Sequence, residues 1–280
     1  MKAMVIGAGQ MGGGIAQIMA AGGIQTYLND VKMEYVTNRI SFIEGLLTKN
    51  VQKGKMTEEE KATTLSNLIP SIDQQDAADC DIVVEAIVEN MEIKGKVFKA
   101  LDTICKPTCI LASNTSSLPI TEIAAFTNRP EKVIGMHFMN PVPVMKLVEI
   151  IRGLATSQET YDFVKNLSIE LNKTPVEVRD VPGFISNRVL QIMINEAIYC
   201  LYEGVASVED IDTVMKLGMN HPMGPLQLAD FIGLDTVLSI METLYDGYGD
   251  CKYRPCPLLR QYVKAGWYGK KSGRGFYTYE

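Results

Sequence analysis

Gly7, Gly9 and Gly12 stand in the spacing Gly-x-Gly-x-x-Gly within the run MVIGAGQMGGGIA at 4–16. The flanking residues give that spacing its meaning. Lys2 to Ile6 is a short apolar run of the kind that forms a buried strand, IAQIMAA at 15–21 reads as the helix that follows, and Ile24 to Leu28 is a second strand closing at Asp30. Each position has a physical task. Gly7 permits a tight turn off the strand, Gly9 lets the backbone approach a pyrophosphate, and Gly12 lets the helix pack against the sheet. The helix N-terminus turns unpaired N–H groups and the positive end of its dipole toward phosphate. Asp30 can accept hydrogen bonds from the adenosine ribose hydroxyls, and its charge would repel a 2′-phosphate. The glycine spacing alone is weak grounds, since such a turn can hold no ligand at all. The strand before it, the helix after it and the acid beyond point to a dinucleotide, NAD rather than NADP. The expected contacts are Gly7, Gly9, Gln10, Met11, Gly12 and Asp30.

Strand and helix patterns then alternate. Residues 31–53 are long, mostly polar and helix-prone, with Lys49 and Lys53 one turn apart on one face. Such lysines usually form a solvated face; beside a nucleotide domain an anionic ligand is the competing reading. Thr57 and Glu60 make a capping box opening a helix through about Leu68. IVVEAI at 82–87 is a buried strand leading to Glu89 and a helix over 90–105. Residues 109–112 form the next strand, followed by the hydroxyl-rich run 113–117, which suits a ligand crevice; Ser117 is also a candidate cap for the helix holding Ile120 to Ala125. Strands at 133–136 and 146–151 carry His137 and Glu149, and a helix over 157–171 and a strand near 175–178 follow.

At Asp180-Val181-Pro182-Gly183 the alternation stops. Phe184 to Tyr202 and Ser207 to Leu217 are helical patterns, the second capped by Ser207 and stopped by Gly218, and Pro225 opens a third. The glycine- and cation-rich tail at 267–277 shows no clear helix or strand. The fold class expected is α/β, a Rossmann-type dinucleotide-binding domain over 1–180 followed by an all-α C-terminal domain over 181–280.

The net charge of −6 argues against a nucleic-acid partner, and no apolar run approaches the ~20 residues that span a bilayer. Of the six cysteines, Cys105 and Cys109 lie four apart without the paired spacing of a metal site, so free thiols in a reducing cytosol are expected, with no metal. The chain has two histidines. His137 ends a strand on the crevice side, and Glu149 follows after a proline-containing turn able to bring them together. A carboxylate beside a histidine fixes its tautomer and stabilises its charged form, which is what proton transfer during alcohol dehydrogenation needs. A hydrogen-bonded structural histidine is the equal alternative on residue type alone. His221, in a loop ahead of a helix, is not a candidate.

Taken together, GAGQMGGGIA (7–16), DIVVEAIVEN (81–90), LASNTSSL (111–118), GMHFMNPVPVMKLVEI (135–150), DVPGFISNRVL (180–190), EDIDTVMKLGMNHPMGPLQLADFIGLD (209–235) and GKKSGRGFYTY (269–279) resemble the 3-hydroxyacyl-CoA dehydrogenases, among them the short bacterial 3-hydroxybutyryl-CoA dehydrogenases, over essentially the whole chain. The resemblance implies a cytoplasmic NAD-dependent oxidoreductase of butyrate and fatty-acid metabolism that interconverts (S)-3-hydroxybutyryl-CoA and acetoacetyl-CoA. It implies that His137 is the catalytic base, oriented by Glu149, and that Ser116 and Asn187 bind the 3-oxygen and thioester region. Glu89, Lys94, Asn140 and Lys271 match further cofactor contacts, and Lys53, with Lys49 near it, would meet coenzyme A phosphates. The helical domain would pair subunits as a homodimer or a dimer of dimers. Two positions depart from the family pattern: Leu46 stands where some members use a serine for coenzyme A, and Met139 where many carry a second phenylalanine.

Overall fold

Strands buried on both faces read as nearly continuous apolar runs, and the central strands of this sheet do so, broken by single polar residues such as Glu85 and His137. A computed structural model describes residues 1–279. Eight strands form one sheet: β1 (Lys2–Ile6), β2 (Gln25–Asn29), β3 (Leu68–Ser71), β4 (Ile82–Glu85), β5 (Ile110–Ser113), β6 (Val133–Phe138), β7 (Leu147–Arg152) and β8 (Thr174–Arg179). Their order is β3-β2-β1-β4-β5-β6-β7-β8. Every neighbouring pair is parallel except β6 and β7, which run antiparallel. The helices of this unit are α1 (Gln10–Ala21), α2 (Met33–Gln52), α3 (Glu58–Ser66), α4 (Met91–Ile104), α5 (Ile120–Ala124) and α6 (Gln158–Glu170). Ile15, Ala16 and Met19 of α1 and Val164 and Leu167 of α6 join Val5, Val84, Ala112 and Ile150 of the sheet in one core. The chain leaves β1 toward β2 and β3 and returns on the other side at β4. That reversal opens a crevice beyond the carboxyl ends of β1 and β4, the position where open α/β sheets bind ligands.

The chain divides between Asp180 and Val181 into two compact units. The second contains α7 (Ser186–Tyr202), α8 (Val208–Thr213), α9 (Pro225–Ile232), α10 (Leu234–Tyr248) and α11 (Pro257–Lys264). Ile194, Ile198, Leu226, Ala229, Val237 and Leu259 form its core. Asp212 accepts hydrogen bonds from the first N–H groups of α9, at Leu226 and Gln227, and from the Tyr277 hydroxyl. Asp230 holds the tail through Phe276 N, Tyr277 N and the Tyr279 hydroxyl.

Several expectations are corrected. The helix begun at Thr57 stops at Ser66, and Leu68–Ser71 is strand β3, paired to β2 at the sheet edge, where a proline such as Pro70 is tolerated. Ser117 does not cap α5: Pro119 occupies the cap, and Ile120 N and Thr121 N donate to the Asp180 carboxylate at 2.9 and 2.7 Å. The pattern over 207–217 is a short α8 that widens into a π-turn over Val214–Gly218. The tail contains a 3-10 turn at Lys270–Ser272 and bridges Arg274 to Gly269 and Thr278.

Candidate active site

At the end of β1 the backbone of Gly7 has φ +105°, and a Cβ there would fall 2.5 Å from the Ala86 carbonyl oxygen. A Cβ at Gly12 would fall 1.8 Å from the Gly7 carbonyl oxygen, so both glycines are required by the protein's own packing. Gly9 differs: a Cβ there meets nothing within 4 Å. The chain itself therefore leaves open space at Gly9, as the close approach of a pyrophosphate requires. Gly9 is also the N-cap of α1 and supplies no side chain to its first turn, which leaves N–H groups for an anion. The Asp30 carboxylate is held by Ala8 N and Val31 N, each at 2.7 Å. Two cavities meet at Gly9 and Asp30. One is walled by Val31, Ala86, Ile87, Val88, Ile93 and Val97, an apolar slot suited to adenine. The other is lined by Gln10, Tyr35, Asn38, Arg39 and Phe42. These residues fit a dinucleotide.

Behind the crevice runs a buried ionic chain that sequence reading missed. Glu85 ends β4 fully buried; its Oε1 accepts from Lys94 Nζ and from Ile87 N, and its Oε2 from the Ser113 hydroxyl, all at 2.7 Å. Lys94 is 1% exposed and also faces Glu89 at 3.4 Å. Glu89 Oε1 in turn accepts from the Thr115 hydroxyl at 2.6 Å, Ser116 N at 2.9 Å and Ser117 N at 3.1 Å. Burial works to raise the Glu89 carboxyl, but the Lys94 ammonium and the Thr115, Ser116 and Ser117 hydrogen bonds outweigh it and hold it below the usual range. The serine-rich loop is thus moored to α4. The one signal in the sequence was a glutamate inside the apolar run IVVEAI.

His137 and Glu149 are direct partners in the antiparallel β6–β7 register. Side chains opposite each other in such a pair share a face, and His137 Nδ1 lies 2.8 Å from Glu149 Oε2. The pair is buried, with His137 8% and Glu149 2% exposed. A carboxylate against Nδ1 makes that nitrogen the donor and leaves Nε2 as the proton acceptor. The surrounding loop is tied to the crevice. Asn114 Oδ1 accepts from Phe138 N at 2.9 Å, and Asn140 Oδ1 accepts from Gln10 Nε2 of the glycine turn at 2.9 Å. The ammonium of buried Lys173, also missed in the sequence, donates to the Val142 and Met145 carbonyls of the same loop.

The structure therefore gathers Gly7, Gly9, Gln10, Gly12 and Asp30 around the glycine turn, links Asn140 to Gln10, and joins Glu89, Lys94 and Ser116 in one network. Met11 is half-buried against the core. Lys49 is exposed in the last turn of α2 and Lys53 is its exposed C-cap. In the second unit Asn187 lies in the first turn of α7, and Lys271 pairs with Asp235, Nζ to Oδ2 2.6 Å.

Residues 2–181 match the NAD binding domain of 3-hydroxyacyl-CoA dehydrogenase, and residues 183–279 match the C-terminal domain of the same family. A probable 3-hydroxybutyryl-CoA dehydrogenase of Bacillus subtilis is 64% identical, covering 99% of this chain and 96% of its own length. The 3-hydroxybutyryl-CoA dehydrogenase of Bradyrhizobium diazoefficiens is 54% identical over 99% of this chain and 95% of its own. The crystal structure of (S)-3-hydroxybutyryl-CoA dehydrogenase PaaH1 from Ralstonia eutropha superimposes with a TM-score of 0.98 at 48% identity, covering 100% of this chain and 99% of that one.

Proposed function

The chain belongs to the 3-hydroxyacyl-CoA dehydrogenase family, and from that membership and the buried His137–Glu149 contact we propose that it interconverts (S)-3-hydroxybutyryl-CoA and acetoacetyl-CoA. It is an oxidoreductase whose cofactor is NAD, which supplies the hydride acceptor when bound. The residues of the chain supply the rest. In oxidation His137 Nε2 takes the proton of the 3-hydroxyl, and in reduction it returns that proton to the 3-oxygen. Glu149, 2.8 Å from Nδ1, stabilises the ring while it is charged. Ser116 and Asn187 donate hydrogen bonds where charge develops on the 3-oxygen. Gly9 and the first turn of α1 receive the pyrophosphate, Asp30 the adenosine ribose, and Glu89, Asn140 and Lys271 border the cofactor. Lys94, being buried, acts through Glu89. Lys49 and Lys53 meet the phosphates of coenzyme A. The helical unit pairs two copies, and the enzyme works in the cytoplasm in butyrate and fatty-acid metabolism.

The observation that carries this reading is a histidine and a carboxylate in contact, buried, on paired strands. The test compares loss of NADH absorbance with acetoacetyl-CoA against free acetoacetate. Turnover confined to the thioester is expected; equal turnover of the free acid would refute the assignment to acyl-CoA chemistry.

A further inference from the structure

Arg39 lies on α2, six residues after the helix begins, in a stretch whose charges would ordinarily face solvent. Its surroundings are not those of a solvated side chain. Its Nε donates to the Ala8 carbonyl of the glycine turn at 3.1 Å. Its stem is seated on α1, so that a Cβ at Gly13 would fall 2.3 Å from Arg39 Cδ. Its guanidinium lies 5.2 Å from the centre of the Phe42 ring. These contacts fix the fork but use only one of its five N–H groups. Among the described residues no carboxylate pairs with it, although Asp30 lines the same cavity. A half-buried, pre-oriented arginine with its terminal nitrogens unspent is built for a phosphate, which takes two parallel N–H bonds from that fork.

We propose that Arg39 forms a latent binding site for a phosphate monoester on the adenosine ribose, the 2′-phosphate of NADP, which Asp30 suppresses. The inference rests on the nucleotide site described above. Asp30, held by Ala8 N and Val31 N, stands where the apolar slot and the Arg39 cavity meet. A nucleotide with its base in the slot and its pyrophosphate at Gly9 has its ribose at Asp30, and the 2′ position opens toward Arg39. Charge repulsion by Asp30 and attraction by Arg39 then oppose each other at one atom. Preference for NAD is therefore a difference between two built-in terms, and the cavity needs no new cation to accept NADP.

The test is calorimetric titration with 5′-ADP, 2′,5′-ADP and 3′,5′-ADP, which separates binding from turnover. Wild type should favour 5′-ADP over 2′,5′-ADP. Asp30→Ala should reverse that order, binding 2′,5′-ADP roughly ten- to 150-fold tighter than wild type does, the range of a charged hydrogen bond from Arg39 that the Asp30 carboxylate no longer offsets. Asp30→Ala with Arg39→Met, which keeps the stem over Gly13, should lose that gain, and Arg39→Lys should keep part of it. If the double variant binds 2′,5′-ADP as tightly as Asp30→Ala does, Arg39 is not the phosphate ligand. If 3′,5′-ADP depends on Arg39 as strongly as 2′,5′-ADP, the site belongs to the coenzyme A phosphate and the assignment to NADP is wrong. NADH and 5′-ADP titrated into wild type report on the cofactor site itself. Their failure to bind would remove that site and this inference together, whereas loss of the 2′-phosphate effect alone would remove only the role of Arg39.

Discussion

Changing Glu149 to glutamine keeps the shape of the β6–β7 contact and removes its charge. Glu149 is 2% exposed and 2.8 Å from His137 Nδ1, so water neither replaces the carboxylate nor screens it. A hydrogen bond to a charged group contributes about 1.5–3 kcal/mol. That contribution is greatest when the ring carries the proton in transit, so its loss falls on the chemical step. At about 1.4 kcal/mol per tenfold, kcat should drop roughly ten- to 150-fold. A glutamine turned with its NH₂ toward Nδ1 would favour the wrong tautomer and push the loss to the upper end. His137→Asn removes the proton carrier itself and should lose on the order of 10²–10⁴-fold. Initial rates of NADH consumption at saturating acetoacetyl-CoA measure both. NADH binding followed by fluorescence should stay near wild type, showing that the nucleotide crevice is intact. The deciding variant is the double one. In the proposed mechanism Glu149 serves the chemical step through His137, so Glu149→Gln should add little to His137→Asn. If it slows the His137→Asn enzyme by its full single-variant factor, the two residues act independently and the mechanism fails.

Lys53→Glu should raise KM for acetoacetyl-CoA several-fold with little effect on NADH, and added salt should shrink the difference, since exposed charges are screened over about 10 Å at 0.1 M; an unchanged KM at low ionic strength would leave Lys49 and Lys53 as a solvated face. Glu85→Gln breaks a fully buried ion pair and should cost about 3–5 kcal/mol in chemical denaturation, whereas Glu85→Met with Lys94→Met should cost less, because neither partner of that pair is left charged and alone, the remaining loss being the cation of Glu89 and the acceptor of Ile87 N and Ser113; equal losses would show that the pair is not electrostatically coupled. Lowering of the Glu89 carboxyl means that its contribution to stability is present above the unfolded glutamate value of roughly 4.3 and is lost as pH falls through the folded value. The gap in melting temperature between wild type and Glu89→Gln should therefore close in acid, and a gap that widens there would contradict the network. An aromatic disulfide reagent should label exposed Cys251 in the native protein and reach Cys80, whose thiol burial and neighbouring Cys105 push up to about 12, only after unfolding, as peptide mapping of the adducts would show.

What the sequence made readable and what it hid follow one division, between contacts set by local pattern and contacts set by tertiary placement. β1, β4, β5 and β6 are buried along nearly their whole length, so each shows in the sequence as a run of three or more apolar residues. β3 did not, because an edge strand of four residues containing Pro70 lacks that pattern and follows its helix after one residue. His137 and Glu149 were foreseeable as partners because adjacent antiparallel strands joined by a short loop bring residues 12 apart into register. The mooring of the serine loop was not. It joins Glu85 to Ser113 across 28 residues and depends on α4 setting Lys94 between two carboxylates. A charge within a strand buried on both faces cannot remain unpaired, so Glu85 itself marked a missing partner without naming it. Arg39 lacked even that mark. On a polar helix it is indistinguishable from a solvated arginine, and only the Ala8 carbonyl and the bare face of Gly13, both from the glycine turn and its helix, turn it into a fixed cation beside Asp30. The acid that reads as the cofactor determinant in the sequence is thus half of an opposed pair, and the strength of the preference for NAD depends on a residue whose role appears only when α1 and α2 are packed together.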